Sequence, residues 1–233
     1  KIQNKILVDS LREELPNNHI KNINKILKYI KAGDVFQVNL SREWYGKINN
    51  KYSAWDIFSK LKKTNPSPFS GLVIYKNKAI ISSSPERLIM VKNDYIETRP
   101  IAGTRCRGGS GVYDVALSQD LLNNKKERAE HIMLVDLERN DLSKVTIKGS
   151  VKVNELMIVE SYTHVHHIVS NVTGKIRENM TPGQIIEAVF PGGTITGCPK
   201  VRCMEILSEI EKTGRGPYTG SIGYINNDGS MDL

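Results

Sequence analysis

The sequence predicts an α+β fold in which layered antiparallel β-sheets are flanked by helices. Two observations support this prediction: several pairs of alternating apolar segments are joined by tight turns, and segments of helical periodicity lie between them. No internal repeat or low-complexity linker divides the 233 residues, which are enough for one large domain. We therefore expect a single domain over residues 1–233 that is incomplete at both ends, with residues 1–19 as the tail of a missing N-terminal portion and with the end of the last strand absent.

The first part of the chain predicts a helix, a strand and a second helix. Residues 20–31 place their isoleucine and leucine side chains on one helical face, and Gly33 would end that helix. Residues 35–40 alternate as a strand, with Gln37 on the side opposite to the apolar residues. A short helix over residues 55–62 ends before a turn that is rich in proline and serine.

Two hairpins, three helices, one long strand and a final strand pair are predicted for the rest of the chain. The strands of the two hairpins are residues 71–75 with 78–83, and residues 87–92 with 95–99. The helices are residues 120–137, 182–190 and 199–210, and the last two begin at proline, which is favoured at the first helical position. The remaining strands are residues 160–176, taken as one long strand, and residues 218–225 with 230–233.

Composition excludes several classes of protein. Hydrophobic residues make up 39% of the chain and charged residues 25%, as in ordinary globular proteins. No apolar run approaches the roughly 20 residues that span a bilayer, so we expect no membrane partner. The net charge of +8 suggests nucleic-acid binding, but the lysines are scattered singly and only 6% of residues are aromatic. We therefore expect no nucleic-acid partner.

The cysteines indicate the cellular compartment rather than a metal site. Cys106, Cys198 and Cys203 are an odd number, and the last two are spaced too loosely for a zinc knuckle. Such sparse use of cysteine is typical of a reducing compartment, so we expect a cytoplasmic protein.

Two segments rich in glycine or threonine could bind anions. Residues 100–105 follow a predicted strand, and there the backbone N–H groups, the Thr104 hydroxyl and the charge of Arg105 could face an anion. Residues 191–202 form a loop that leads into a helix with Lys200 in its first turn, where anions bind readily. The second segment lacks the spacing of a nucleotide-binding loop. Taken alone, each segment could equally be an ordinary loop.

Acidic and histidine side chains offer a further candidate site. Glu127 and Glu130 are three residues apart in a predicted helix and share a face, so a hard cation such as Mg²⁺ would relieve their repulsion. A solvated helix flank is the alternative. In the strand that follows, alternation sends His164 and His166 to one face and His167 to the other, which argues against a site made of all three histidines.

In order and spacing, these segments resemble the chorismate-utilising enzymes, the family of the anthranilate and aminodeoxychorismate synthases. The resemblance extends from about residue 20 to the end of the chain. The matching stretches are residues 31–41, 84–87, 100–105, 130–137 and 191–202.

The resemblance implies a chorismate-binding catalytic domain that uses Mg²⁺. It implies that Glu127 and Glu130 are the first pair of metal ligands, while the second pair comes from a C-terminal helix outside this sequence, so that the chain alone would be inactive. It further implies that Glu86 is the general acid that protonates the departing C4 hydroxyl, and that His167 lies near the ring. The residues implied to hold the substrate are Gly103, Thr104, Thr196, Lys200, Tyr218 and Gly220.

Gln37 indicates the nucleophile within this family. Members that add water carry a lysine base at this position, whereas members that add ammonia carry glutamine, so the resemblance implies amination with ammonia from a glutamine amidotransferase subunit. Ala102 stands where the aminodeoxychorismate branch usually has a nucleophilic lysine, yet residues 196–200 and 221–224 look like that branch. We favour aminodeoxychorismate synthase, with anthranilate synthase as the alternative. Isochorismate or salicylate synthase, a nucleic-acid-binding module and a non-catalytic homologue stay open.

Overall fold

The computed structural model describes residues 8–109 and 111–233. The strands, in chain order, are β1 (Val8–Glu13), β2 (Gln37–Val38), β3 (Trp44–Ile48), β4 (Phe69–Tyr75), β5 (Lys78–Ser84), β6 (Met90–Lys92), β7 (Tyr95–Thr98), β8 (Ile101–Cys106), β9 (Lys152–Ser161), β10 (Val165–Lys175), β11 (Gly197–Cys198), β12 (Tyr224–Ile225) and β13 (Met231–Asp232). The helices are α1 (Pro16–Ala32), α2 (Ala54–Thr64), α3 (Gly111–Asn123), α4 (Lys125–Ser143), α5 (Pro182–Val189) and α6 (Lys200–Glu211).

The main sheet has seven antiparallel strands. Its order is β12, β13, β6, β7, β10 and β8, and β9 pairs with β10 in addition. The long strand β10 joins the sheet together, because its C-terminal half pairs with β7 and its N-terminal half with β8. Three two-stranded sheets, β1 with β3, β2 with β11 and β4 with β5, lie beside it. The predicted α+β fold is confirmed.

Two apolar clusters hold helices against this framework. In the first, Ile89 and Ile96 of the main sheet region pack with Leu142 of α4 and Ile185 of α5. In the second, Ile26, Val35, Cys203, Ile206 and Ile210 bring α1 and α6 together. Ile206 is fully buried, and a side chain of that size contributes roughly 1.5–3 kcal/mol when it leaves water.

Local sequence signals account for most of the predicted boundaries. Gly33 ends α1 with a φ of 83°, a conformation that glycine adopts without a steric penalty. Thr181 caps α5 and forms a capping box with Gln184. The two predicted hairpins are present as β4 with β5 and β6 with β7, and the final pair as the shorter β12 with β13.

Four predicted elements were wrong in extent or type. The helix predicted over residues 120–137 is two helices, α3 and α4, which are separated at Asn124. The strand predicted over residues 160–176 is β10, which begins only at Val165, and its hairpin partner β9 over Lys152–Ser161 was not predicted. The predicted loop over residues 100–105 is strand β8, and the strand predicted over residues 35–40 pairs only at β2.

Within the described ranges, we find no helix whose length and apolar character would let it cross a membrane.

Candidate active site

Strand β8 brings together side chains from three distant parts of the chain. The backbone N–H of Ile101 donates to Glu86 Oε1 at 3.2 Å. Two residues further on, Glu127 Oε2 lies 3.2 Å from the position that a Cβ on Gly103 would occupy. The hydroxyl of Thr104 is 2.9 Å from Nδ1 of His167. The predicted acid, metal ligand and histidine are therefore arranged along one strand.

Glycine at position 103 is required by both backbone and space. Its φ is +88°, and an added Cβ would stand 3.1 Å from Leu121 Cδ1 and 3.3 Å from Ile168 Cδ1 as well as near Glu127. Positive φ is rarely adopted by residues with a Cβ. The register between β8 and β10 shifts close to this residue, which is typical of a β-bulge. Gly103 thus lets the carboxylate of α4 approach the strand closely.

Glu127 and Glu130 occupy the first turns of α4, and both are partly buried. The Asn124 side chain caps the helix by accepting from the N–H groups of Lys126 and Glu127, at 3.0 and 3.2 Å. Negative side chains are favourable at this end of a helix. Glu127 Oε1 pairs with Arg105 at 3.2 Å. The guanidinium that was predicted to face a bound anion is therefore paired with a carboxylate of the protein.

The carboxylate of Glu130 is held from the opposite side by Gln37. Nε2 of Gln37 donates to Glu130 Oε1 at 2.8 Å. The other atom of that amide, Oε1, is buried and has no hydrogen-bond partner in the part of the chain that the structure describes. The orientation of the amide is set by this contact, because only the nitrogen can donate to a carboxylate.

The strand that carries Gln37 is fastened to the glycine- and threonine-rich loop. Gln37 and Val38 pair with Cys198 and Gly197 of β11. An added Cβ on Gly197 would meet the Gln37 carbonyl oxygen at 2.2 Å, so this approach requires glycine. Thr196 precedes β11 directly. Both predicted segments, residues 100–105 and 191–202, therefore lie beside the carboxylates of α4.

The two carboxylates are suitable ligands for a hard divalent cation but do not form a complete site. Glu127 and Glu130 supply oxygen donors from one helix face, which is the donor chemistry that Mg²⁺ prefers. Across residues 8–109 and 111–233, however, no group of three or more His, Cys, Asp and Glu side chains is arranged to hold a metal. Glu127 and Glu130 could hold a cation only together with oxygens from elsewhere, such as substrate or water.

Glu86 faces a cavity of about 800 Å³. Burial raises the pKa of the Glu86 carboxyl to about 7, against the opposing effect of hydrogen bonds from Ile101 and the Thr194 side chain. A carboxyl with such a pKa holds a proton near neutral pH, as a general acid must. Tyr218 and Gly220 also line this cavity, with the Arg215 guanidinium 5.6 Å from the Tyr218 ring.

His167 is buried, and burial lowers its pKa below the ordinary value, which favours a neutral ring at neutral pH. Its ring lies 5.6 Å from the ring of Tyr162, and its Nδ1 is shared with Thr104. His166 is on the other face of β10, where its Nε2 is 2.9 Å from Asp114. His164 precedes the strand and is exposed. His166 and His167 are thus on opposite faces, as the alternation predicted, whereas His164 lies outside the strand.

Two predicted substrate ligands have partners within the protein. The Thr196 hydroxyl is buried and donates to the Gly192 carbonyl at 2.9 Å. The Lys200 ammonium pairs with Asp141 and donates to the Val189 carbonyl at 2.9 Å. Both side chains therefore stabilise the loop and the start of α6 in this structure. Their contact with a substrate stays a prediction.

Sequence reasoning missed Glu138, a buried carboxyl on α4 that lines the same cavity as Glu86. Burial, together with the negative charges of Asp141 and Glu86, raises the pKa of Glu138 to about 8. A signal was present in the sequence, because Glu138 lies about three helical turns after Glu127 and therefore on the same face. Beyond His131 that face carries the buried Leu134 and Leu142 and a further buried carboxylate, Asp141.

Comparison with known proteins gives a consistent result. A sequence family described as chorismate binding enzyme matches residues 7–233. Aminodeoxychorismate synthase component 1 of Bacillus subtilis (strain 168) is 53% identical over 203 residues, which are 87% of this chain and 43% of that protein. An anthranilate synthase component I-like protein of Synechocystis is 48% identical over 211 residues, 91% of this chain and 44% of that protein.

A solved structure shares the fold. The crystal structure of anthranilate synthase component I from Streptococcus pneumoniae TIGR4 matches 98% of this chain and 51% of its own, with a TM-score of 0.88 and 34% sequence identity. The chain spans less than half the length of the curated relatives described above.

Proposed function

We propose that this chain, which belongs to the chorismate binding enzyme family, carries the site at which a chorismate-utilising synthase adds ammonia to its substrate. The observation that carries the proposal is the contact of Gln37 with Glu130, together with the unpaired amide oxygen of Gln37. A buried acceptor without a donor costs roughly 1–3 kcal/mol, so this position favours a ligand that brings an N–H or O–H group.

The chemistry of an amide favours ammonia over water as that ligand. Water becomes an effective nucleophile when a base removes its proton, whereas neutral ammonia is nucleophilic enough without such help. The Gln37 amide can orient an N–H group but cannot take a proton at neutral pH. A site with Gln37 at its edge is therefore better matched to amination than to hydration.

Glu86 would supply the proton that the reaction needs. As the nitrogen of ammonia forms a bond to the ring, the bond between C4 and its hydroxyl oxygen breaks, and the Glu86 proton leaves with that oxygen as water. The added nitrogen then returns a proton to the Glu86 carboxylate, so that chorismate and ammonia give the aminated product and water. The pKa of about 7 for Glu86 supports this role, because the carboxyl can both release and regain a proton near neutrality.

Glu127 and Glu130 would hold Mg²⁺ together with oxygens from substrate or solvent. When bound, the cation would supply positive charge for the carboxylates of chorismate. The approach of Glu127 to Gly103 supports this assignment, since it places the ligand beside Thr104 and His167. The neutral His167 ring would lie near the substrate and could donate a hydrogen bond without adding charge.

We assign the chain to the aminodeoxychorismate branch, with the anthranilate branch as the alternative. The 53% identity to aminodeoxychorismate synthase component 1 supports this choice, against 48% for the anthranilate synthase component I-like protein and 47% for an anthranilate synthase component 1 of Haloarcula marismortui. Ala102 is buried and has no nucleophilic group, so ammonia would attack the ring directly. The component 1 names of these relatives support a partner component, which we propose is a glutamine amidotransferase that delivers the ammonia.

The test uses the complete protein with chorismate, Mg²⁺ and ammonium, followed by identification of the product by mass and retention time. We expect an aminated product whose nitrogen comes from labelled ammonium, and we expect its formation to stop when the cation is chelated. Aminodeoxychorismate would support our branch assignment and anthranilate the alternative. Isochorismate or salicylate without nitrogen would contradict the proposal.

Gln37→Lys tests the role of the amide. Lysine removes the unpaired amide acceptor and, as the neutral amine, supplies a base for water, so we expect amination to fall at least tenfold and some isochorismate to appear. Gln119→Lys, on the exposed side of α3, is the matched control and should leave both products unchanged. Amination at the wild-type rate in Gln37→Lys would show that the amide does not bind the nucleophile.

A further inference from the structure

We propose that Glu138 is a second proton-carrying residue of the cavity, which exchanges a proton with Glu86 so that the two carboxyls titrate as a coupled pair. The inference rests on the proposed function only for its catalytic consequence. The coupling itself follows from the placement of the two side chains.

One loop holds both carboxyls. The backbone N–H of Gly193 donates to the carboxyl of Glu138, and the side chain of the next residue, Thr194, donates to Glu86. Glu138 Oε1 lies 3.1 Å from the position of a Cβ on Gly193. Adjacent residues of one loop therefore hold the two carboxyls, both line the same cavity, and the charge of Glu86 acts on Glu138.

The surroundings of Glu138 favour its neutral form. Its side chain is 5% exposed, and the titratable groups that act on it are Asp141, Glu86 and Lys200. The Lys200 ammonium, whose charge opposes the raised pKa of Glu138, is paired with Asp141, so its positive charge is shared with another carboxylate. Two arginines also line the cavity, but both are paired with other carboxylates. Arg215 pairs with Glu211, and Arg87 pairs with Asp232 and Glu97.

Coupling follows from this arrangement, because ionisation of one carboxyl opposes ionisation of the other. The pKa of Glu86 is raised to about 7. The pKa of Glu138 is raised to about 8, and the negative charge of Glu86 accounts for part of this second shift. The pair therefore loses its two protons one after the other. Between these steps it holds one proton, which keeps a fraction of Glu86 protonated at a pH at which Glu86 alone would be ionised.

In catalysis, Glu138 would not contact the substrate but would act through Glu86, by returning a proton to it. When Glu86 gives its proton to the departing oxygen, the new carboxylate can recover a proton from the Glu138 carboxyl, which becomes the carboxylate. The proton that the added nitrogen releases then restores the pair. The number of protons is balanced, and no further reactant is needed.

The test follows the C=O stretching bands of protonated carboxyl groups by infrared difference spectroscopy of the complete protein between pH 5 and 10. We expect two such bands in the wild type that disappear in successive steps. Glu86→Gln and Glu138→Gln should each leave a single step, below the second step of the wild type. Asp136→Asn, which removes an exposed carboxyl on the outer face of α4, should leave both steps unchanged.

A kinetic measurement adds the catalytic consequence. In Glu138→Gln, kcat/KM should equal that of the wild type at pH 6 and be up to tenfold lower at pH 8.5, since one pH unit corresponds to tenfold. If Glu138 does not titrate in this range, or if Glu86→Gln leaves its step in place, the coupling is refuted. Failure of the protein to aminate chorismate would refute the proposed function while leaving the spectroscopic result valid.

Discussion

Replacement of Gly193 by alanine tests the packing that holds Glu138 in the cavity. The residue is buried, and an added Cβ would stand 2.3 Å from Leu137 Cδ2, 2.7 Å from Leu137 Cγ and 3.1 Å from Glu138 Oε1. Contacts under 3 Å require movement, and the whole Leu137 side chain must shift because Cγ is affected too. The Gly193 carbonyl also accepts from the N–H of Gly197 at 3.0 Å, so the loop itself resists displacement.

The expected loss of stability can be worked out from these contacts. Overpacking in a well-packed region costs about 1–3 kcal/mol, and the hydrogen bond from Gly193 to Glu138 contributes about 1 kcal/mol. Leu137 is partly exposed and can yield toward solvent, which favours the lower end of the range. We expect a total of about 2 kcal/mol, and hence a fall in Tm of about 4–8 °C for a chain of this length.

The assay is thermal unfolding followed by circular dichroism, with Gly214→Ala as the matched control. Nothing lies within 4 Å of a Cβ at Gly214, so this variant should unfold within about 1 °C of the wild type or slightly above it. If Gly193→Ala unfolds at the same temperature as Gly214→Ala, the loop does not pack against α4 as described. The position of the Glu138 carboxyl beside Gly193 would then be refuted as well.

Two further predictions concern charged groups outside the cavity. Asp141→Asn leaves the mostly buried Lys200 ammonium without its carboxylate, so we expect a loss of about 3 kcal/mol in urea unfolding; a loss no larger than that of Asp136→Asn would contradict this. Arg107 holds the pKa of Asp114 well below its usual value, with further donors from Gly108 and His166. A carboxyl whose pKa is lower in the folded protein stabilises the fold at pH values above its pKa in the unfolded chain, and this stabilisation is lost as the pH falls. Asp114→Asn removes that titrating group. The unfolding free energy of this variant should therefore depend less on pH below about 4 than that of the wild type. Equal pH dependence in the two proteins would refute the assignment.

The sequence was sufficient for elements that begin and end at strong local signals. The hairpin of β4 and β5 turns at Lys76 and Asn77, and α5 begins at Thr181 and Pro182, as predicted. The hairpin of β9 and β10 was missed because its turn contains neither glycine nor proline. There the Tyr162 N–H donates to the Val165 carbonyl at 2.8 Å, a contact that alternation of apolar residues does not reveal.

Other differences have equally local causes. Asn124 interrupts the predicted helix because its side chain competes for backbone N–H groups and caps α4. Residues 100–105 were predicted as a loop because of their glycine, yet Gly103 adopts its positive φ within a strand, where the register with β10 is irregular. In each case a residue type that commonly ends an element instead shapes it.

The parts of the candidate site that depend on residue type and local spacing could be predicted from the sequence. The parts that depend on long-range contacts or on burial could not. The pairing of Glu127 with Glu130 follows from their spacing in a helix. The contact between Gln37 and Glu130, by contrast, joins residues 93 positions apart and depends on how β2 pairs with β11. Spacing places Glu138 on the same helix face as Glu127, but its raised pKa depends mainly on burial, which that spacing does not specify.

The four carboxyls of the site, those of Glu86, Glu127, Glu130 and Glu138, have different environments because they lie at different points along the contact of α4 with β8. Near its N-terminus the helix presents Glu127 and Glu130 to donors, Arg105 and the Gln37 amide, which compensate negative charge. About two to three turns later the same helix face presents Glu138 to Glu86 and to buried surface, and there the pKa values rise instead. Since α4 is a single rigid element packed on β8 and β10, the distance between the two environments is fixed by the helix rather than by loops. One helix can thus supply oxygen ligands for a cation at one end and a protonated carboxyl at the other. An acid-assisted displacement on an anionic substrate requires both environments, one that keeps carboxylates charged and one that keeps a carboxyl protonated.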